Sequence, residues 1–236
     1  MVGRVEETRI VLVRHGESLA QHHRLIGGHR CQGLSDRGRA QVEALRDRLA
    51  DSGELAAASA IYSSLMARAA QTADILAPAL AGLDGVDVRR ECDFCESHPG
   101  EDADGLAVDE YDRRWPIPEA WTVHTRRDPG SETFQEMHER VGRALDTLVE
   151  RHRGQTVVVA CHGGVVVHSM LRWLGIDFTR RERAWLNAVN SSLTEWRIAP
   201  NPFWPDRLPV ELVRFNDHAH LRGALAPRRR NPASPT

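Results

Sequence analysis

The chain has 236 residues, 41% hydrophobic and 27% charged, with a formal net charge of −2. That is ample length for a core, and it excludes both the strong positive balance of a general nucleic-acid binder and the long apolar run of a membrane span. Lysine is absent, so every side-chain cation outside histidine is an arginine, whose planar fork suits carboxylates and phosphates.

The N-terminus is short and mixed in charge, and it runs directly into an apolar segment. The expectation is a chain without a leader, cytoplasmic, with Cys31, Cys92, Cys95 and Cys161 reduced. Ile10–Val13 predicts a first buried strand. Ser35-Asp36 opens a helix with Ala40, Val42, Leu45 and Leu49 at helical spacing. Ala60–Tyr62 reads as a short strand, followed by a helix over "SSLMARAAQTADILAPAL" with Leu65, Ala69, Ile75 and Leu76 on its apolar face. Val86–Val88 predicts a third strand. From Cys92 to Gly130 the pattern is irregular, with Gly, Pro, Asp and Trp as punctuation, and reads as a substrate-side insert. Glu132–His152 is a long amphipathic helix, "TVVVAC" a buried strand, and "GGVVVHSMLRWLG" the helix after it. "SSLTEWRIA" and "LPVELVRF" form a closing hairpin around "PNPFWPDR". Alternating strands and helices predict one α/β domain, residues 1–225, with a mostly parallel central sheet covered on both faces. A frayed Pro- and Arg-rich tail at 226–236 follows it.

Two of these strands end alike. "IVLVRHGES" delivers Arg14-His15-Gly16 at its tip, and "VVVACHGG" delivers His162-Gly163-Gly164. Ligands of such sheets sit beyond the carboxyl ends of the strands. Arg68, early in the helix after the second strand, falls in the same zone. Taken singly, a strand-end histidine or a helix arginine is ordinary. Together they suit a phosphoryl group: guanidinium forks for its oxygens, glycines for close backbone approach, and a neutral imidazole for attack on phosphorus. The flanking arginines disfavour a second positive charge on His15.

In this order the motifs resemble those of the histidine phosphatase superfamily, the phosphoglycerate-mutase-like branch. "LVRHGES", "GLSDRGRAQVEAL", "SSLMARAAQTA", "GSETFQEMHERV", "VVVACHGGVV" and "NSSLTEW" carry the likeness from Ile10 to about Ile198. The resemblance implies a three-layer α/β/α fold and a metal-independent reaction through a phosphohistidine. It implies His15 as nucleophile, with Arg14, Arg68 and His162 on the phosphoryl group and Ser18 in support. Gly163 joins the phosphate-binding set. Gln21 stands where the family often has Asn and keeps the amide with a longer reach. The family's E-x-x-x-G acid motif fits Glu96 with Gly100, so Glu96 is the general acid and Glu91 the reserve.

The expected substrate is a small phosphomonoester, with no cofactor, metal, nucleic acid or membrane partner, and a homodimer is left open. A phosphoglycerate mutase is the alternative. It would need further cations for the substrate carboxylate, and Arg113-Arg114 and Arg126-Arg127 are the candidates. A catalytically weak phospho-ligand-binding protein is an alternative of another class. Cys92-x-x-Cys95 with His98, and the cluster His22, His23 and His29, raise a zinc module. A structural zinc site calls for a second ligand pair, which Cys31 and Cys161 do not supply. Trp115, Trp121 and Trp204 are read as apolar anchors of the insert.

Overall fold

The computed structural model describes residues 7–80, 88–177, 179, 186–199, 203 and 209–227. In chain order these hold β1 (Thr8–Arg14), α1 (Leu19–His22), α2 (Asp36–Ser52), β2 (Ala58–Ser63), α3 (Ala67–Leu76) and β3 (Arg89–Arg90). There follow α4 (Val108–Arg114), α5 (Phe134–Arg151), β4 (Thr156–Cys161), α6 (Gly163–Trp173), β5 (Leu193–Ile198) and β6 (Val210–Asp217). The strands make one sheet in the order β3-β2-β4-β1-β5-β6. β3, β2, β4 and β1 run parallel, and β5 and β6 close the far edge as an antiparallel pair.

The apolar strands are buried on both sides, which is why they read as continuous runs rather than as alternating ones. Ile10, Leu12, Val157 and Val159 face one way, onto Met137, Val141, Leu145 and Leu148 of α5 and Val165, Val166 and Met170 of α6. Val11, Val13, Val158 and Ala160 face the other way, onto Val42, Leu45 and Leu49 of α2 and Ala73 and Leu76 of α3. The period-2 alternation of each strand thus feeds two cores, and the result is three layers. Among the described residues no helix is long and apolar enough to cross a membrane.

Helix ends follow local chemistry. Ser35 caps α2 by accepting from Gly38 N, and Gly53 ends it in the left-handed region. Thr133 and Glu136 form a reciprocal capping box on α5, which therefore starts two residues later than the pattern predicts.

Several expectations are corrected. The third strand is Arg89–Arg90; Val86 lies outside the described residues and Val88 precedes the strand. The helix after β2 starts only at Ala67, because Ser63 ends the strand and Ser64 bonds the strand end and the turn. Leu65 is accordingly 49% exposed and not on the apolar face. The insert is more regular than its punctuation suggests: Cys92–Phe94 make a 3-10 turn and Val108–Arg114 a helix. At the end of the chain, the Ala226 carbonyl accepts from Arg37 Nη2 at 2.8 Å, so the expected tail is anchored where it starts. Residues 228–236 and Trp204 lie outside the described residues.

The loop after β1 is pressed against the start of α2. A Cβ on Gly38 would lie 1.9 Å from Glu17 O, and one on Gly16 would lie 2.3 Å from Gly38 O. Gln41 of the same helix accepts from Glu17 N at 2.9 Å. The glycine and glutamine of "GRAQ" thus hold the strand tip in place. Gly38→Ala is expected to destabilise the protein by about 3 kcal/mol, the upper end of overpacking costs. Gly53→Ala, at φ 64 with nothing within 4 Å, should cost only about 1 kcal/mol for the left-handed backbone. Urea unfolding of the two variants would rank them.

Candidate active site

Three adjacent parallel strands set the site. Their register pairs Arg14 of β1 with Cys161 of β4, and Ser63 of β2 with Ala160. The ladder runs one step further at each tip: His15 N donates to Cys161 O at 2.9 Å, and Ser64 N to Ala160 O at 3.1 Å. His15, His162 and Ser64 are the next residues on their strands, so they emerge side by side. The two imidazole centroids lie 5.0 Å apart, with ring planes at 62°.

His15 is 3% exposed. Its Nδ1 lies 2.6 Å from the Gly16 carbonyl, which can only accept, so the ring proton sits on Nδ1. Nε2 then carries the lone pair, and Arg68 Nε donates to it at 3.1 Å. Burial, then the charges of Arg68 and Arg14, push the His15 pKa well below the ordinary histidine value, against a smaller upward pull from the Gly16 hydrogen bond. Burial, Arg68 and then His15, Arg14 and Arg140 lower His162 in the same way. Both rings are therefore neutral at pH 7.

His162 occupies the N-cap position of α6 without a side-chain bond to the helix, and its Nε2 lies 2.8 Å from Ser64 Oγ. Its Nδ1 is buried and has no hydrogen-bond partner among the described residues. In the tautomer in which the Ser64 hydroxyl donates to Nε2, Nδ1 carries the ring proton and is available to a ligand; a buried polar atom of this kind calls for a partner. Arg68 is itself buried and is braced by the Gly28 carbonyl at 3.5 Å. Arg14 donates through Nη1 to the Ala188 carbonyl, and a Cβ on Gly163 would lie 3.5 Å from its Nε.

Glu96 reaches this cluster and Glu91 does not. One Glu96 oxygen accepts from Gly164 N at 3.1 Å, two residues beyond His162, and the other from Ser97 N at 3.0 Å. A Cβ on Gly164 would lie 2.1 Å from that carboxylate, so the second glycine of "HGG" makes room for the Glu96 side chain. Gly100, last in the E-x-x-x-G motif, has the same logic: a Cβ there would meet Pro129 O at 2.0 Å. Glu91 instead pairs with Arg151 on α5 at 3.3 Å.

Ser18 and Gln21 sit beside the cluster with their polar atoms in use. Ser18 Oγ caps α1 through Gln21 N at 3.1 Å, and Gln21 Oε1 accepts from Ser18 N and from Asn190 Nδ2, each at 3.1 Å. Asn190 also donates to His15 O at 3.0 Å. Sequence reasoning gave no role to Asn190, the first residue of "NSSLTEW", or to Ser64, whose only signal was the second serine of "YSSLMAR".

The insert forms the wall next to Glu96. Asp128 accepts from Gly100 N at 2.6 Å and from Tyr111 Oη at 2.7 Å, and the Arg127 guanidinium lies over the Tyr111 ring at 4.5 Å. Trp115 leans on Tyr111 with ring centroids 5.4 Å apart. Asp104 accepts from Gly28 N at 2.8 Å and Arg30 N at 2.9 Å, and so ties the insert to the loop after α1.

Comparison with known proteins shows the family of the chain. The model of the histidine phosphatase superfamily (branch 1) matches residues 10–208. Phosphoglycerate mutase-like protein 4 of Arabidopsis thaliana is 34% identical over 168 residues, 69% of either chain. A metal-independent phosphoserine phosphatase of the same plant is 32% identical over 171 residues, 71% of this chain and 69% of that one. The solved structure of YhfR from Bacillus stearothermophilus superposes with a TM-score of 0.74 at 25% identity, covering 90% of this chain and 98% of its own.

Two outcomes follow from the geometry. His15 and His162 take up protons more readily in the unfolded chain than in the fold, because burial lowers both pKa values from the ordinary 6.5. Stability should therefore fall as pH drops through about 6.5, and the slope, read from thermal unfolding, should be shallower in His15→Asn. Gly164→Ala should displace Glu96 and lower kcat more than it raises KM, while circular dichroism shows an intact fold.

Proposed function

The chain belongs to the histidine phosphatase superfamily, branch 1, and we propose that it is a phosphatase acting on small phosphomonoesters through a phosphohistidine. The observation that carries this reading is the His15 ring: neutral, with its Nε2 lone pair beside Arg68 and its other nitrogen fixed on Gly16.

In the first step His15 Nε2 attacks phosphorus, and the bond from phosphorus to the ester oxygen breaks. Arg68 turns from His15 to the phosphoryl oxygens, and Arg14 and the His162 Nδ1–H share their growing charge. The Glu96 carboxyl gives its proton to the departing alkoxide. In the second step water attacks phosphorus and yields a proton to the Glu96 carboxylate. The P–N bond then breaks, returning a neutral His15 and inorganic phosphate. The chemistry assigns no step to a metal, since guanidinium groups supply the charge stabilisation.

Hydrolysis is favoured over mutase transfer by the state of the insert's cations. Arg114 is paired with Glu110, Arg126 with Glu136, and Arg127 with Asp112. Three of the four arginines that would hold a second anionic group are thus already paired, two within the insert and one with α5. The relative named as a phosphoserine phosphatase supports a small phosphorylated hydroxy compound as substrate, and phosphoserine heads the panel to be tried.

Hydrolysis of an aryl phosphate, with free divalent ions removed by brief treatment with a chelator, is the direct test. His15→Ala should lose turnover entirely. Glu96→Gln should lose about 10²–10⁴-fold on an alkyl phosphate, the usual span of general acid–base catalysis, while Glu91→Gln should stay near wild type. Equal activity in wild type and His15→Ala would overturn the reading. Primer-dependent interconversion of 2- and 3-phosphoglycerate would move it to the mutase alternative.

A further inference from the structure

Next to the phosphoryl-facing groups lies a second cluster of reactive side chains that this chemistry leaves unused. Cys92 and Cys95 bracket the 3-10 turn, His98 follows three residues later, and His29 arrives from the loop between α1 and α2. Cys92 Sγ lies 3.0 Å from Cys95 Sγ, 3.6 Å from His98 Nε2 and 3.9 Å from His29 Nε2. All four ligand atoms fall within 4.8 Å of one another. We propose that Cys92, Cys95, His98 and His29 bind one zinc ion in a closed, structural site.

The donor set and its spacing point to that ion. Two thiolates and two imidazoles are a tetrahedral zinc set, and bonds of about 2.3 Å to sulfur and 2.0–2.1 Å to nitrogen place the donors roughly 3.3–3.8 Å apart. Rotations that move donor atoms by about 1 Å bring this cluster to those separations. Binding releases two thiol protons to solvent and leaves the ion and its ligands neutral overall. A disulfide between Cys92 and Cys95 would need only the two sulfurs; it gives no reason for two imidazoles to converge on Cys92. The second ligand pair that the sequence reading required is therefore His29 with His98, contributed by separate loops.

The outer shell is built as well. Arg140 of α5 donates to the carbonyls of Cys92 at 3.3 Å, Asp93 at 2.9 Å and Cys95 at 3.1 Å, and Glu132 grips its guanidinium at 2.7 Å. Ser64 Oγ lies 3.4 Å from Cys95 Sγ. Such contacts orient ligands before the metal arrives. His29 is exposed and Cys92 and His98 half-buried, so an ion enters from solvent, while Cys95 forms the buried floor.

The position of the cluster gives the ion its purpose. Glu96 lies between two of the ligands, Cys95 and His98, and Ser64 touches both Cys95 and His162. His29 follows Gly28, whose carbonyl braces Arg68. One ion would thus pin the loop that carries the acid to the loop that backs the phosphate-binding arginine. This benefit to turnover rests on the phosphatase reading; the metal site does not.

The test uses the untagged full chain, purified in reductant and passed over a chelating resin to remove loosely held metal. Elemental analysis should find about one zinc per chain, the content of a closed structural site. Cobalt substitution should give thiolate-to-metal charge-transfer absorption and tetrahedral d–d bands. The double variant Cys92→Ser with Cys95→Ser should lose both signals, and Cys31→Ser should keep them. If the double variant misfolds, His29→Ala decides, since its side chain is at the surface. It should weaken zinc binding in chelator competition by more than about tenfold, the loss that even an outer-shell change produces. A wild type that takes up neither zinc nor cobalt, or that holds a Cys92–Cys95 disulfide in reductant, overturns the proposal. So does a His29→Ala variant of undiminished affinity. Zinc content is read without substrate, so a protein that binds zinc yet hydrolyses nothing would sink the phosphatase reading alone.

Discussion

Two imidazoles and two guanidiniums share one small volume because β1 and β4 run parallel in a register that sets Arg14 against Cys161. A shift of one residue would turn the tips to opposite faces and separate the rings. The rest of the architecture holds this register. The strands are buried on both sides, α2 is pressed against the β1 tip through glycines that admit no side chain, and α6 begins at His162. Burial that secures the strands also keeps the histidines uncharged. Stability and reactivity thus come from the same desolvation, with the arginines adding to it by repulsion.

The wall of the site is made differently. Among the described residues no strand of the central sheet runs through the insert; backbone hydrogen bonds around an isolated bridge between Leu25 and Ala107 hold it, together with hydrogen bonds to charged side chains. Asp128 gathers Gly100 and Tyr111, Asp104 gathers Gly28 and Arg30, and Arg140 gathers three carbonyls of the turn before Glu96. Each carboxylate or guanidinium serves as a hub, chiefly for backbone groups outside the sheet. The acidic run "GEDADG" is consequently a framework element at Asp104.

The sheet and its two cores were legible in the sequence because Ile10–Val13 and Thr156–Cys161 are unbroken apolar runs between clear helix signals. The strand tips were legible because Arg14-His15 and His162 interrupt those runs with groups no core would accept unpaired. Other features left weaker marks. β3 is two exposed arginines, a strand by pairing alone. α4 carries a short polar sequence whose packing partner, Asp128, is remote in the chain. Asn190, Ser64 and His29 reach their places through loops, and neither periodicity nor spacing encodes where a loop returns. The Cys92–Cys95 pair was visible, but His29 joins it from a loop that is tied to the insert by Asp104 and by the backbone bonds around Leu25 and Ala107.

The hydrogen bond from Arg68 Nε to His15 Nε2 has a bearing on what the protein ignores. At rest the lone pair that would attack an electrophile is already engaged by a cation. A ligand frees it only by offering that guanidinium something better, and anionic oxygens do so where a carbonyl or an alkyl halide does not. In the proposed reaction the charge of the group to be attacked would thus unmask the nucleophile. A buried imidazole, neutral and nucleophilic at neutral pH, can in this way survive among the many reactive small molecules that present no phosphate.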